Sequence, residues 1–244
     1  GGSQAEQTAA IMTRFEKYLI NNTTDLVLVV GDVNSTMACA ITAQKLGVKV
    51  AHVEAGIRSN DWTMPEEINR LITDSISNYF FTTSELANKN LKSSGFDDNQ
   101  IYYVGNTMID TLYSNQSRFI KPVLWDEIKL KAKEFIVITM HRPANVDQGI
   151  KLKETINQII ENSQESKLIF PAHPRTRKII DNLDINHPRL YIVDPLGYLE
   201  FNYLVSNSLA VITDSGGITE ETTVLGIPCL TLRDNTERPE TISI

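Results

Sequence analysis

The sequence predicts an α/β protein in which parallel β-sheets are covered by helices on both faces. Short apolar runs such as Leu26–Val30 alternate along the chain with longer segments of helical periodicity. The runs are continuously apolar, which is typical of strands buried on both faces of a parallel sheet. Strand–helix alternation of this kind indicates βαβ units. It pauses at Ser117–Leu124, so we expect two tandem domains, at residues 1–118 and 119–244.

Turn and cap residues divide the first predicted domain into elements. Pro65 favours a helix start, Ser84 can cap a helix, and Gly47 and Gly95 end two others. The predicted helices are Ala5–Asn21, Ser35–Leu46, Pro65–Ser77, Glu85–Ser93 and a segment from residue 107 to about Asn115. The predicted strands are Leu26–Val30, Val48–Val53, Tyr79–Thr82 and Ile101–Val104.

The second predicted domain repeats the alternation. Its strands are predicted at Phe135–Thr139, Leu168–Pro171, Leu190–Val193, Leu209–Thr213 and Pro228–Leu232. Its helices are predicted at Gly149–Asn162, Arg175–Asp181, Tyr198–Ser206 and from Gly216 to about Leu225.

Composition narrows the class of function. The 244 residues are 41% hydrophobic and 22% charged, as in soluble globular proteins. The net charge of −7 opposes a general role in binding nucleic acid or an anionic membrane. Cys39 and Cys229 lie in apolar segments, so we expect buried, unpaired thiols in a reducing, cytoplasmic compartment. The chain starts at Gly1 without a methionine, as expected of an internal fragment.

Motifs for bound cofactors and metals are missing from the sequence. No GxGxxG follows a predicted strand, and no P-loop, HExxH motif or Cys/His cluster is present. No GxSxG elbow indicates a serine hydrolase. We therefore expect neither a cofactor nor a metal.

Polar residues follow many of the predicted strands. In open parallel sheets, ligands bind beyond the carboxyl ends of the strands. Two sheets in tandem could place these ends face to face across a cleft, although loops are often polar without function. The residues in question are Asp32, Glu54, Gly105, Asn106, His141, His173 and Ser215.

Thr213–Glu221 is the most specific local signal. Its Ser-Gly-Gly turn opens a helix, where backbone N–H groups and the helix dipole favour a phosphate. Helical phase places Glu221, but not Glu220, on the apolar face of this helix. A carboxylate there needs a bonded partner, either ribose hydroxyls or a structural group. His141 and Arg142 could likewise hold a diphosphate or simply form a capped turn.

Helical phase gives a different picture for Pro65–Ser77. Ile68, Leu71, Ile72 and Ile76 mark the predicted buried face. Glu66 and Arg70 share the opposite face, and Glu67 points elsewhere. Periodicity alone favours a surface ion pair for Glu66 and Arg70. Carboxylates in one half and anion-binding groups in the other suit acid–base chemistry on a sugar with a nucleoside diphosphate leaving group.

These residues resemble motifs of the non-hydrolysing UDP-N-acetylglucosamine 2-epimerases, in the family's order and near its spacing. The motifs are Gly31–Thr36, His52–Arg58, Pro65–Arg70, Gly105–Thr107, His141–Arg142, Asp214–Glu221 and Arg233–Glu240. The resemblance implies two Rossmann-like domains facing a cleft, the arrangement of one large class of glycosyltransferases. It also implies a homodimer, and a family first strand and C-terminal helices that this chain lacks.

The resemblance also implies roles for single residues. Asp32, Glu54 and Glu66 match the catalytic carboxylates. His141 and Arg70 match residues that contact the diphosphate, and His141 is also counted as catalytic. The other implied UDP-binding positions are Phe201 at uracil, Ser215, Gly216 and Gly217 at phosphate, Glu221 at ribose, and Arg238 in the cleft. Gln7 matches a contact to an allosteric UDP-sugar, although Glu6 stands where an arginine is usual.

The implied reaction interconverts UDP-GlcNAc and UDP-ManNAc by anti elimination of UDP and its re-addition through 2-acetamidoglucal. Three alternatives stay open at this point. They are a 2-epimerase of a UDP-2,3-diacetamido sugar, a hydrolysing epimerase, and an inactive UDP-sugar-binding fragment.

Overall fold

A computed structural model describes residues 2–183 and 185–233. The chain forms two compact units that divide between Asn106 and Thr107. Each unit contains one parallel sheet, which confirms the predicted fold class. The division falls before the helix that starts at Thr107, whereas the sequence analysis placed the domain boundary after that helix.

The first unit contains four parallel strands in sequential order, β1-β2-β3-β4. They are β1 (Leu26–Val30), β2 (Lys49–Val53), β3 (Tyr79–Thr82) and β4 (Ile101–Tyr103). The helices are α1 (Gln4–Asn21), α2 (Asn34–Lys45), α3 (Pro65–Ile76) and α4 (Glu85–Ser93), with a 3₁₀ turn at Asp98–Gln100. Pro65 starts α3 and the Ser84 side chain caps α4, as the sequence predicts.

The core of this unit lies mainly between α2 and the β1–β2 pair. Val27 and Val29 of β1 pack there with Ala40, Ala43 and Val50. The alternate residues of β1 are exposed. The prediction that this strand is buried on both faces is therefore wrong, because only the face of β1 that packs on α2 is covered in the described residues.

In its described residues, 107–183 and 185–233, the second unit contains five parallel strands in the order β7-β6-β5-β8-β9. They are β5 (Phe135–Thr139), β6 (Lys167–Pro171), β7 (Leu190–Val193), β8 (Ala210–Thr213) and β9 (Cys229–Thr231). The helices are α5 (Thr107–Gln116), α6 (Leu124–Glu127), α7 (Pro143–Val146), α8 (Gly149–Asn162), α9 (Pro174–Asp181), α10 (Tyr198–Asn207) and α11 (Gly216–Leu225). Helix α5 belongs here because it packs on α11: a Cβ atom on Gly217 would lie 2.6 Å from Met108 Cε.

Strand β5 shows how helices cover both faces of the second sheet. Phe135 and Val137 point into one apolar cluster, with Leu204 of α10. Ile136 points into another, with Ile156 of α8. The alternation follows from the two-residue period of a strand, so a continuously apolar sequence is what this central strand requires.

Two further expectations concern the cysteines and the membrane. Cys39 and Cys229 are free thiols, but each is only partly buried, so the expected full burial is wrong. Burial raises the pKa of the Cys39 thiol. In the part of the chain that the structure describes, no helix is long and apolar enough to span a bilayer.

Candidate active site

Asp32 and Glu54 follow neighbouring parallel strands, β1 and β2. Gly31 turns the chain after β1 with φ +67°, and Glu54 has φ +72°. A positive φ is unfavourable for a residue with a side chain, and such strain is concentrated at functional sites. A Cβ atom on Gly31 would lie 3.4 Å from Glu54 Oε2, so the Glu54 carboxylate lies against the backbone next to Asp32.

Arg70 of α3 is buried between two carboxylates. Its Nη2 atom donates to Asp32 Oδ2, and its Nη1 atom lies 3.2 Å from Glu67 Oε2. Asp32 keeps 27% of its side-chain surface exposed, so its carboxylate can still meet a ligand. The structure therefore brings together two of the predicted site residues, Asp32 and Arg70.

The helical phase predicted for α3 is wrong. Ile68 is 40% exposed, whereas Glu67, Asn69, Arg70, Thr73 and Asp74 are buried. This polar face is buried because it bonds the loops that follow β1 and β2. Asn69 Nδ2, for example, donates to Asp32 O over 2.8 Å. The expectation that Glu67 points away from Arg70 is wrong for the same reason.

Glu66 is partly buried and lines a cavity of about 300 Å³ within the first unit. Gln7 lines the same cavity, together with Gln4, Asn34 and Asn69. The side-chain Nε2 atom of Gln7 donates to Gly2 O over 2.8 Å. Glu66 and Gln7, to which the resemblance gives different roles, thus line the same cavity.

A second buried network shapes the loop after Glu54. His52 is fully buried, with Nδ1 at 2.7 Å from Asp74 Oδ1 and Nε2 at 2.9 Å from Gly31 O. Asp74 also accepts from the Gly56 amide over 3.2 Å and pairs with Arg58 over 2.6 Å. His52 and Asp74 therefore tie the ends of β1 and β2 to α3.

Asp214 organises the corresponding strand ends of the second unit. It follows β8, is fully buried, and lies 2.8 Å from His141 Nδ1. It accepts from the backbone amides of His141 and Arg142 over 3.1 and 2.9 Å, and from Asn145 Nδ2 over 3.0 Å. Burial opposes ionisation, but hydrogen bonds from His141, Asn145 and Arg142 outweigh it and hold the pKa of Asp214 at about 2. Nε2 of His141 is then the ring nitrogen left to meet a ligand.

The start of α11 has the features of an anion site. Ser215 is its N-cap and accepts from the Ile218 amide over 3.5 Å. Gly216 and Gly217 form the first turn, where backbone N–H groups remain available to a phosphate. A Cβ atom on Gly216 would lie 3.2 Å from Arg233 Nη1, which places a guanidinium beside this turn.

Glu221 is buried on α11 and accepts from the Tyr198 hydroxyl over 3.1 Å. Burial raises the pKa of Glu221, against the opposing effect of hydrogen bonds from Tyr198 and Asn202. Burial and the Glu221 carboxylate together raise the pKa of Tyr198 to about 12. The sequence left two kinds of partner open for Glu221, a structural group or ribose hydroxyls. The structure shows a structural partner, the Tyr198 hydroxyl, which ribose hydroxyls could replace.

Glu220 corrects the helical phase predicted for α11. It is buried like Glu221, at 7% exposure, although the sequence placed it away from the core. Helix α11 packs against α10 and also against α5, so more than one of its faces is covered.

The remaining predicted positions are less decisive. Phe201 of α10 is partly buried and packs against the apolar cluster around Leu204. His173 caps α9 by accepting from the Arg175 amide over 3.4 Å, which is a structural role. Arg238 lies outside the described residues.

The sequence reasoning missed four buried or paired residues at these strand ends: Glu67, Asp74, Tyr198 and Asp214. Asp214 could have been found, since it directly follows a strand and precedes the Ser-Gly-Gly turn. Glu67 and Asp74 could not, because helical periodicity ranks carboxylates as solvent-facing.

Comparison with known proteins gives consistent matches over the whole chain. The model of the UDP-N-acetylglucosamine 2-epimerase family matches residues 1–243. A Methanocaldococcus jannaschii protein named UDP-N-acetylglucosamine 2-epimerase is 40% identical over 100% of this chain and 69% of its own length. A Methanococcus maripaludis homolog of that enzyme is 44% identical over 99% and 69%. A Pseudomonas aeruginosa UDP-2,3-diacetamido-2,3-dideoxy-D-glucuronate 2-epimerase is 38% identical over 100% and 68%.

Solved structures agree with these matches. The M. jannaschii UDP-GlcNAc 2-epimerase, in complex with UDP-GlcNAc and UDP, has a TM-score of 0.87 at 40% identity, over 100% of this chain and 70% of that one. A spinosyn rhamnosyltransferase has a TM-score of 0.58 at 14% identity, over 98% and 62%. That weaker likeness shows only a fold shared with glycosyltransferases.

Proposed function

Because the chain belongs to the UDP-N-acetylglucosamine 2-epimerase family, we propose that the protein interconverts UDP-GlcNAc and UDP-ManNAc without net hydrolysis. The observation that carries the proposal is the pair of carboxylates, Asp32 and Glu54, at adjacent strand ends. Inversion at C2 needs a proton removed from one face of the sugar and returned to the other. More than one carboxylate at the same edge of the sheet suits that requirement.

The proposed reaction proceeds in two balanced halves. A carboxylate removes the C2 proton, the electron pair forms a C1=C2 double bond, and the C1–O bond to UDP breaks on the opposite face. The products are 2-acetamidoglucal and UDP. UDP oxygen then adds back to C1 while a carboxylic acid delivers a proton to C2 from the other side. Asp32, Glu54 and Glu66 are the proposed acid–base groups.

The second unit contributes the proposed nucleotide contacts. His141, oriented by Asp214, and the first turn of α11 can bind the diphosphate, whose charge grows as the C1–O bond breaks. Arg142 and Arg70 are further proposed diphosphate contacts. Glu221 and Phe201 would hold the ribose and the uracil, and Arg238 would complete the contacts.

A UDP-2,3-diacetamido sugar is the second candidate substrate. The 38% identity to the P. aeruginosa enzyme, over the whole of this chain, supports it. The same elimination chemistry serves both sugars, since the reacting atoms are C1 and C2 in each. A substituent at C3 would have to be accommodated by residues near the carboxylates.

Gln7 and Glu66 line one cavity, which supports a second proposal for Gln7. A nucleotide-sugar bound near Gln7 would contact the wall that presents Glu66. Activation by added UDP-GlcNAc would then depend on Gln7, and a Gln7→Ala variant would lose it.

Product analysis tests the proposed function. The protein is incubated in separate reactions with UDP-GlcNAc and with a UDP-2,3-diacetamido sugar, and both reactions are followed by ³¹P and ¹H NMR. UDP-ManNAc at equilibrium with substrate is the expected result. Release of UDP and free ManNAc in equal amounts would indicate a hydrolysing enzyme instead, and conversion of only the diacetamido sugar would indicate the second candidate.

A further inference from the structure

Glu67 has an unusual position for a carboxylate, because it is only 2% exposed. Its Oε2 atom accepts from the Ser59 amide over 2.8 Å, from Ser59 Oγ over 3.0 Å, and from Arg70 Nη1 over 3.2 Å. Its Oε1 atom accepts from the Asn60 amide over 3.1 Å. Four donors on one buried carboxylate hold it in a single orientation.

Arg70 carries the effect of Glu67 to the site. The guanidinium is planar and rigid, so fixing one of its nitrogens fixes the direction of the other. Nη1 meets Glu67 and Nη2 meets Asp32. The three groups form a chain, Glu67–Arg70–Asp32, that runs from a buried loop contact to a partly exposed carboxylate.

We propose that Glu67 is a positioning residue that acts through Arg70 to set the orientation of the Asp32 carboxylate. This inference rests on the proposed acid–base role of Asp32. Glu67 itself contacts neither the sugar nor the nucleotide in this account. It also fastens the loop at Ser59 and Asn60, so the loop after β2 and the Asp32 carboxylate are held by one group.

The isosteric variant Glu67→Gln separates charge from shape. Glutamine keeps one acceptor oxygen, but its amide NH₂ must face either the Asn60 amide or the donors at Ser59 and Arg70, so a donor meets a donor. We expect kcat for epimerisation to fall about 100-fold, as for a catalytic group displaced by about 1 Å. UDP affinity should fall by a smaller factor than kcat, because Arg70 is only one of several proposed diphosphate contacts. Glu16→Gln, at an exposed site on α1, is the control and should keep the wild-type rate.

A double-mutant cycle distinguishes positioning from a general structural role. Glu67→Gln is combined with Asp32→Asn, and deuterium incorporation at C2 is measured at high enzyme concentration. If Glu67 acts on Asp32, Glu67→Gln should lower the rate of deuterium incorporation by less than about threefold in the Asp32→Asn background. Arg70→Lys provides a second background, because lysine has no rigid guanidinium to link Glu67 to Asp32. The loss of rate caused by Glu67→Gln should be smaller in this background too.

Two outcomes would overturn the inference while leaving the proposed function intact. The first is a wild-type rate in Glu67→Gln. The second is a loss of rate on adding Glu67→Gln that is equal in wild type, in Asp32→Asn and in Arg70→Lys. Wild-type turnover in Asp32→Asn alone would overturn both the proposed role of Asp32 and this inference. A large loss in Glu67→Gln that disappears in the two backgrounds would support it.

Discussion

The Nδ1 atom of His141 lies 2.8 Å from Oδ1 of Asp214, a carboxylate that is fully buried between two strand ends. The same carboxylate accepts from the backbone amides of His141 and Arg142. One group therefore fixes both the side chain of His141 and the turn that carries it.

Asp214→Asn should destabilise the protein at neutral pH by roughly 2 kcal/mol, since the native pKa of about 2 lies below the ordinary 3.8. Because the folded-state pKa is lowered, this contribution is fully present above about pH 4 and is lost as the pH falls towards 2. Urea unfolding of both proteins at pH 7, 4.5 and 3 measures the difference, which should narrow at acid pH. A difference in unfolding free energy that does not change with pH would contradict the lowered pKa of Asp214.

Glu221→Gln should have the opposite pH dependence. Burial raises the folded-state pKa of Glu221, so the favourable contribution of its protonated form exists below the ordinary pKa of 4.5 and is lost as the pH rises. The neutral variant should therefore unfold at a higher temperature than wild type at pH 7 and at the same temperature near pH 4. Calorimetry at the two pH values checks this.

The same variant tests the proposed ribose contact. Isothermal titration with UDP should give an affinity at least about tenfold weaker for Glu221→Gln, the cost of leaving ribose hydroxyls without a charged acceptor. Glu200→Gln, on α10, is the control and should bind UDP as wild type does. Equal affinities for the two variants would contradict the ribose assignment.

Gly56→Ala should destabilise the protein by about 2–4 kcal/mol, from a strained backbone and a steric clash. Gly56 has φ +79°, and a Cβ atom there would lie 2.5 Å from Ala87 O. Gly47 has φ +76° but nothing within 4 Å, so Gly47→Ala should cost only about 1 kcal/mol. Denaturant unfolding of the two variants isolates the clash, and equal losses would show that α4 does not pack on Gly56 as described.

The strands were predictable because their signal is local. Phe135–Ile138 is apolar at every position, and β5 has the predicted bounds, Phe135–Thr139. The buried face of helix α3 was not predictable, because it is held by ion pairs and amide contacts such as Arg70 with Asp32. Those contacts join residues far apart in sequence, and periodicity records only where apolar side chains recur. The positions of Asp32 and Glu54 followed from strand ends, but their partners did not.

Glu54→Gln and Glu66→Gln should each lower kcat by at least about 100-fold, as expected for loss of a proton-transfer group. UDP should still bind, because its proposed contacts lie largely in the second unit. Steady-state kinetics and UDP titration measure the two properties separately. Glu85→Gln, at an exposed position on α4, is the control. A wild-type rate in either variant would refute the catalytic assignment of that residue alone.

Isotope incorporation at C2 tests the central proposal most directly. The protein is incubated with UDP-GlcNAc in D₂O, and both UDP-sugars are recovered for NMR and mass spectrometry. Removal of the C2 proton by a carboxylate and its return from solvent predict one deuterium at C2 of the UDP-ManNAc formed. Epimerised product that retains protium at C2 would contradict elimination through 2-acetamidoglucal.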